Sequence, residues 1–116
     1  MVAWLLRDDE VLASLEVADT HRARARGLLG RDGVVGLDGL EGALLLPRTR
    51  SVHSLGMRFP IDVAYCDADL VVIRTFRLAP HRVARPTKGV RQVIEAEAGA
   101  FARWNLVVGD RLDVRP

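Results

Sequence analysis

Cysteine and aromatic side chains are scarce in this 116-residue chain, and each scarcity excludes something. The single cysteine, Cys66, rules out an internal disulfide and any cysteine-rich zinc site. Aromatics at 5% are too few for the stacking platforms that hold single-stranded nucleic acid, so a nucleic-acid partner is not expected. Neither sign of charge dominates: 17 Lys+Arg against 15 Asp+Glu leaves a net +2, too balanced for a generic membrane or polyanion binder. No apolar run approaches the roughly eighteen residues of a membrane span. The start, Met1-Val2-Ala3-Trp4-Leu5-Leu6, lacks the basic region and cleavage site of a signal peptide, so a cytoplasmic address is expected. A free cysteine is compatible with that address.

Apolar residues make up 49% and charged residues 28%, ordinary globular usage. The length suits one domain, 1–116, with a core that needs no metal or disulfide staple. Residues 2–6 and 11–17 flank a polar tip, and Val11, Ala13, Leu15 and Val17 alternate with Leu12, Ser14 and Glu16. This period of two predicts a hairpin. Asp19-Thr20 offers an N-cap for a short helix over 21–29, which Gly30 can end. Strands are expected over 43–46, 59–66, 70–78, 90–96 and 111–114, with a helical turn over 98–104 and Asn105 in the left-handed region after it. Seven short strands and two short helices favour a mainly β, barrel-like or sandwich domain over α/β, because no helix is long enough for repeated crossovers. The expected core includes Trp4, Leu15, Leu45, Phe59, Ile61, Val63, Tyr65, Val72, Ile94, Leu106 and Leu112.

Glycine falls on every third residue from Gly27 to Gly42. Without proline between them this is not collagen, and it reads as a helix terminus followed by tight turns. His21, His53 and His81 show no spacing that marks a metal pair, and no metal or cofactor is expected. Ser51, Ser54, His53 and Asp62 supply the letters of a hydrolase triad, but no nucleophile-elbow frame surrounds either serine. Cys66 sits next to Asp67, which raises a thiol pKa, so it reads as structural. Charge order is more informative. Residues 42–61 carry Arg48, Arg50 and Arg58, and residues 70–94 carry Arg74, Arg77, Arg82, Arg85, Lys88 and Arg91, with no acid in either stretch. One basic concavity that binds a small anion is therefore expected, since arginine recognises carboxylate and phosphate through paired hydrogen bonds.

Three runs then carry a resemblance. His21-Arg22-Ala23-Arg24-Ala25-Arg26-Gly27-Leu28-Leu29-Gly30-Arg31 resembles the RARGLMGR opening of the domain of unknown function 192 family, small uncharacterised proteins of bacteria and archaea. Ser51-Val52-His53-Ser54-Leu55-Gly56-Met57-Arg58-Phe59-Pro60-Ile61-Asp62-Val63 resembles its SIHTFGMRFPIDV signature. Val93-Ile94-Glu95-Ala96-Glu97-Ala98-Gly99, followed by Gly109-Asp110, is similar to its closing motif. Leu29 stands where methionine is common, and Asn105 where glycine usually follows the late helix. The resemblance implies a mainly β, barrel-like fold and no established activity. Its recurring positions match Arg31, His53, Met57, Pro60 and Asp62.

The leading expectation is a non-enzymatic module, monomeric or weakly dimeric, that binds a small anionic ligand or a protein partner in the region 53–62. Its candidate ligand residues are Arg31, His53, Met57, Arg58 and Asp62. A hydrolase or metal-dependent enzyme using His53 and Asp62, and a purely structural accessory protein, are the competing readings. Asp62 shares its strand face with Pro60, Ala64 and Cys66, so its carboxylate must find donors. His53, Arg50, Arg58 or backbone N–H groups across the turn are expected to supply them.

Overall fold

A computed structural model describes residues 2–37 and 39–116; Asp38, in the loop expected over 31–41, lies outside the described residues. Seven strands and two short helices follow in the order β1 (Val2–Arg7), β2 (Glu10–Val17), α1 (His21–Arg26), β3 (Gly42–Leu46), β4 (Ile61–Cys66), β5 (Val72–Leu78), β6 (Gln92–Glu97), α2 (Ala100–Arg103) and β7 (Asp113–Arg115). The fold is mainly β, as the alternation predicts. All seven strands lie in one sheet, ordered β5-β4-β6-β3-β2-β1-β7. Every pair is antiparallel except β2 with β3, which α1 and the following loop connect.

The sheet is not closed into a barrel, yet its two ends approach each other. Val72 N–H donates to Asp110 O at 2.8 Å, and Leu112 N–H to Leu70 O at 3.0 Å, so the segment leading into β7 is tied to the start of β5. An isolated bridge, Val71 with Arg111, continues the contact. The first hairpin turns on Asp8 and Asp9, both left-handed at φ 49° and 64°. Two left-handed residues match the twist of the flanking strands, so Arg7 and Glu10 pair and the tip is two residues long.

The sheet separates two cores. Leu5, Leu15, Leu45, Ile94, Leu106 and Leu112 gather on one face with Phe101 and Trp104 of the α2 segment. Leu44, Leu46, Ile61, Val63, Tyr65 and Val93 gather on the other, covered by Leu28, Val52, Met57 and Ala84 from the loops. With both faces covered, β3 and β4 are buried throughout, which explains their near-continuous apolar runs. Nine of the eleven expected core residues are buried; Trp4 and Phe59 are half-buried.

Both helices are shorter than their patterns predict. Thr20 caps α1 by accepting from Ala23 N–H at 3.0 Å, but the helix ends at Gly27 rather than Gly30. Gly27 adopts φ 51°, ψ −128°, a conformation a side chain would oppose, and residues 28–30 continue as turns. The α2 segment is held at both ends. Asp62 serves its N-terminus, and Arg7 donates to Trp104 O at 2.7 Å and Asn105 O at 3.1 Å beyond its C-terminus. Asn105 is left-handed at φ 53°, as expected.

Candidate functional site

The face of the sheet that carries Leu44, Val63 and Tyr65 also carries a narrow cleft. Its floor is Glu95, at the middle of β6, between Leu44 of β3 and Val63 of β4. Its walls are α1 with the turn after it (Arg24, Arg26, Leu29) and the loop that follows β3 (Ser51, His53, Met57). The cavity measures about 50 Å³, room for a few water-sized groups.

Two loops build the far wall through Ser54, whose side chain is fully buried. Its hydroxyl donates to Ala79 O at 2.5 Å and accepts from Arg82 N–H at 2.9 Å. Its main chain bonds Arg82 O at 2.8 Å and His81 N–H at 2.8 Å. Ser54 thereby staples the loop after β3 to the loop after β5, beside the bridge between His53 and Val83. Two imidazoles then fix the turn at the cleft mouth. His53 Nδ1 accepts from Leu55 N–H, and His81 Nδ1 from Gly56 N–H, each at 3.2 Å. With Nδ1 accepting, the proton of each neutral ring sits on Nε2. Met57 is buried beneath this turn.

Glu95 is 3% exposed, and its Oε1 has no hydrogen-bond partner among the described residues. Burial pushes its carboxyl up to about 7, against the opposing pull of the Arg31 charge. Near neutral pH a large fraction of Glu95 is therefore a neutral acid with an O–H to donate. Around it, Arg24 donates to the Asp19 carbonyl at 3.2 Å, and neither Arg24 nor Arg26 is in a salt bridge among the described residues. Arg31 pairs with Glu16 at 2.6 Å.

The residues expected at the site divide. His53 and Met57 line the cleft, and Arg31 acts on its floor through charge. Arg58 points elsewhere and meets Asp32 at 2.7 Å, both side chains exposed. Asp62 lies on the opposite face of the sheet. Its Oδ2 accepts from Gly99 N–H at 2.9 Å and Phe101 N–H at 3.1 Å, and its Oδ1 from Arg77 Nε at 3.2 Å. The expected donors, His53, Arg50 and Arg58, are not its partners: the chain does not double back at Gly56 to lay 50–54 beside 58–62. Instead residues 52–54 pair with 82–84, through Ala84 N–H to Val52 O at 3.0 Å and Ser54 N–H to Arg82 O.

The arginines of the two acid-free stretches do not converge either. Arg74 stands opposite Tyr65 and Arg77 opposite Asp62, so these two fall on opposite faces of β5. Arg74 covers the Phe76 ring at 4.7 Å, and Arg48 donates to the Asp19 carbonyl. The basic groups at the cleft come from α1, Arg24 and Arg26, a source the charge order did not single out. Glu95 was also missed as a site residue. Its signal was an acid inside the apolar strand run Val93-Ile94-Glu95-Ala96. Cys66 is buried, its thiol pushed up to about 12 by burial and the Asp67 charge, which makes it inert.

Fold and cleft together define a small, mainly β protein with one open seven-stranded sheet and a polar pocket over its middle strands. The sequence matches the DUF192 family, described as "Uncharacterized ACR", over residues 4–114. The chain belongs to that family. It is 30% identical over 103 residues to a UPF0127 protein of Pyrococcus abyssi, covering 85% of this chain and 84% of the relative. A UPF0127 protein of Pyrococcus furiosus is 33% identical over 63 residues, 54% of each chain. Two crystal structures share the fold at 20% identity: a protein of unknown function from Novosphingobium aromaticivorans, TM-score 0.76, covering 97% of this chain and 84% of that one, and a proposed transcription regulator of Sinorhizobium meliloti, TM-score 0.78, covering 97% and 92%.

Proposed function

We propose that this chain is a non-enzymatic binding module and that the cleft over Glu95 is where it holds a small anionic ligand. The observation that carries this reading is the unpartnered, buried Oε1 of Glu95 at the floor of a cavity walled by His53, Met57, Arg24 and Arg26. Leaving a buried polar atom without a partner costs about 1–3 kcal/mol, and a ligand that supplies the partner removes that cost on binding. Sign favours an anion, because a cation would have to enter past the α1 arginines.

The alternative hydrolase reading needs chemistry these residues do not assemble. His53 and Asp62 form no pair, and the Ser54 hydroxyl is fully engaged with Ala79 and Arg82. Among the described residues no three His, Cys, Asp or Glu side chains gather as metal ligands, and no helix is long and apolar enough to cross a membrane. A single domain acting in the cytoplasm as a monomer or weak dimer is part of this reading.

A thermal-shift panel of carboxylates, inorganic phosphate, sulfate, nucleotides and divalent metals tests it. Stabilisation by at least one small anion, about 2.7 kcal/mol at a hundred times its dissociation constant, is the expected result, and it should vanish in Arg24→Ala/Arg26→Ala. Stabilisation by a divalent metal alone would overturn the reading in favour of a metal-dependent enzyme.

A further inference from the structure

We propose that the anion is the carboxylate end of a short aliphatic acid, and that Glu95 binds it as a hydrogen-bond donor, so that the complex keeps on Glu95 a proton that the free protein gives up as pH rises above neutral. This rests on the cleft being the binding site, as argued above.

The class follows from what surrounds the unpartnered oxygen. The charged or titratable groups around it are Arg24 and Arg26 from α1, His53 from the loop after β3, Tyr65 from β4, and Arg31 from the turn after α1, whose charge is shared with Glu16 of β2. The sheet strands beside Glu95 present Leu44 and Val63, which offer no donor. Such a setting attracts an anion, but two anions cannot share the floor of a dry pocket. One proton between two carboxyl groups resolves the conflict: the Glu95 O–H donates to a ligand carboxylate oxygen, and the arginines neutralise the remaining charge. Burial has already moved the Glu95 carboxyl to where that proton is available near neutral pH.

Size and lining set the rest. About 50 Å³ admits one planar head group and little more. Leu29 and Leu55, both partly exposed at the cleft, and the buried Met57 give a short hydrocarbon tail apolar contacts beyond the head group. A phosphate monoester finds no such complement for its bulk, and a dicarboxylate would bury its second charge against leucine.

The test is a titration of the full ¹⁵N-labelled chain with acetate, propionate, butyrate, inorganic phosphate and sulfate at pH 5.5, 6.5, 7.5 and 8.5. Butylammonium serves as the opposite-sign control, and calorimetry in two buffers of different ionisation enthalpy counts protons. Expected are shifts of cleft amides, tighter binding of butyrate than of acetate, uptake of about one proton above neutral pH, and affinity falling about tenfold per pH unit there. Glu95→Gln should still bind butyrate, through its amide N–H, with no proton uptake and a flat pH profile. A pH profile that survives in Glu95→Gln would assign the proton to His53 and overturn the proposal. Binding of phosphate or sulfate but of no carboxylate would overturn the ligand class while leaving the anion site standing. Binding of butylammonium alone, or no cleft response to any anion, would overturn the site reading as well.

Discussion

Two buried carboxyl groups on neighbouring strands, Asp62 of β4 and Glu95 of β6, meet opposite fates. Asp62 is 5% exposed and Glu95 3%, so burial does not separate them. They sit one register step apart, Asp62 beside Ala96 and Glu95 beside Val63, and point to opposite faces of the sheet. Asp62 collects two backbone N–H groups at the start of α2 and an arginine from β5, which uses both of its oxygens. Glu95 Oε1 collects nothing among the described residues. A carboxylate answered by donors from two other elements is a clamp, and its work is done when the chain folds. An acid left unanswered under an open cleft keeps its hydrogen-bonding capacity for something outside the chain.

Removing the clamp should have the largest effect. Asp62→Ala leaves the N–H groups of Gly99 and Phe101 without their acceptor and frees α2 from the sheet. Each buried N–H left without an acceptor costs about 1–3 kcal/mol, while the Arg77 side chain, 59% exposed, returns to solvent at little cost, so a loss of about 4 kcal/mol in denaturant unfolding is expected. Asp62→Asn keeps one acceptor oxygen and should lose about half as much. A loss below about 1 kcal/mol for the alanine variant would break the comparison, because Asp62 would then be as dispensable to the fold as Glu95.

Glu95 should behave in the opposite sense. Its carboxyl is raised from the ordinary 4.5 to about 7, so between those values the unfolded chain ionises there while the folded chain keeps its proton. Stability from this group is complete below about 4.5, falls as pH rises through that window and levels off above about 7. At 1.36 kcal/mol per pKa unit the total is about 3 kcal/mol. Glu95→Gln removes the titration, so its stability relative to the parent chain should grow by about 3 kcal/mol between pH 4 and pH 8. Paired denaturant curves at the two pH values measure it. A constant difference would mean that Glu95 is solvated or paired after all.

How legible these two groups were in the sequence differs for a physical reason. Alternation along 59–66 placed Asp62 with Ala64 and Cys66, away from Ile61, Val63 and Tyr65, and the cores divide that way. Alternation says which face a side chain takes, but not which distant element covers that face. The donors to Asp62 lie 15, 37 and 39 positions away, while residues 52–54 pair with the loop after β5 and Arg58 meets Asp32. The seven strands, the Thr20 cap and left-handed Asn105 were readable because each is set by neighbours in sequence. The parallel pairing of β2 with β3 and the cleft were not, since both depend on where α1 docks. The motif singled out His53 and Met57, which line the cleft, whereas the charge order drew attention to arginines that alternate across an edge strand.

The wall of the cleft offers a middle-sized test. Ser54→Ala leaves Ala79 O and Arg82 N–H without their hydroxyl partner inside a buried junction. The two groups together should cost about 2 kcal/mol. Because Ser54 holds the loop carrying His53 and Met57, the same variant should also shift the His53 ring resonances. Lost stability with unshifted His53 signals would show that the imidazole is positioned by its own turn and not by the staple.

The smallest effect is expected at Arg58, where the comparison is sharpest in what it denies. Arg58 lies in the same motif as His53 and Met57, and the motif alone would place it at the ligand. In the fold it ends on Asp32, with side-chain exposures of 66% and 87%. An ion pair so exposed is screened by solvent and held at a cost in side-chain freedom, so it contributes about 0–1 kcal/mol. Arg58→Ala should therefore change stability by less than about 0.5 kcal/mol and leave anion affinity unchanged. The Arg24→Ala/Arg26→Ala pair, neither of which is in a salt bridge among the described residues, should remove binding while leaving stability nearly as intact. If Arg58→Ala instead weakens binding as much as the α1 pair does, the loop after β3 must swing Arg58 inward when ligand arrives. The site would then include the motif arginine, with Asp32 as its resting partner in the empty state.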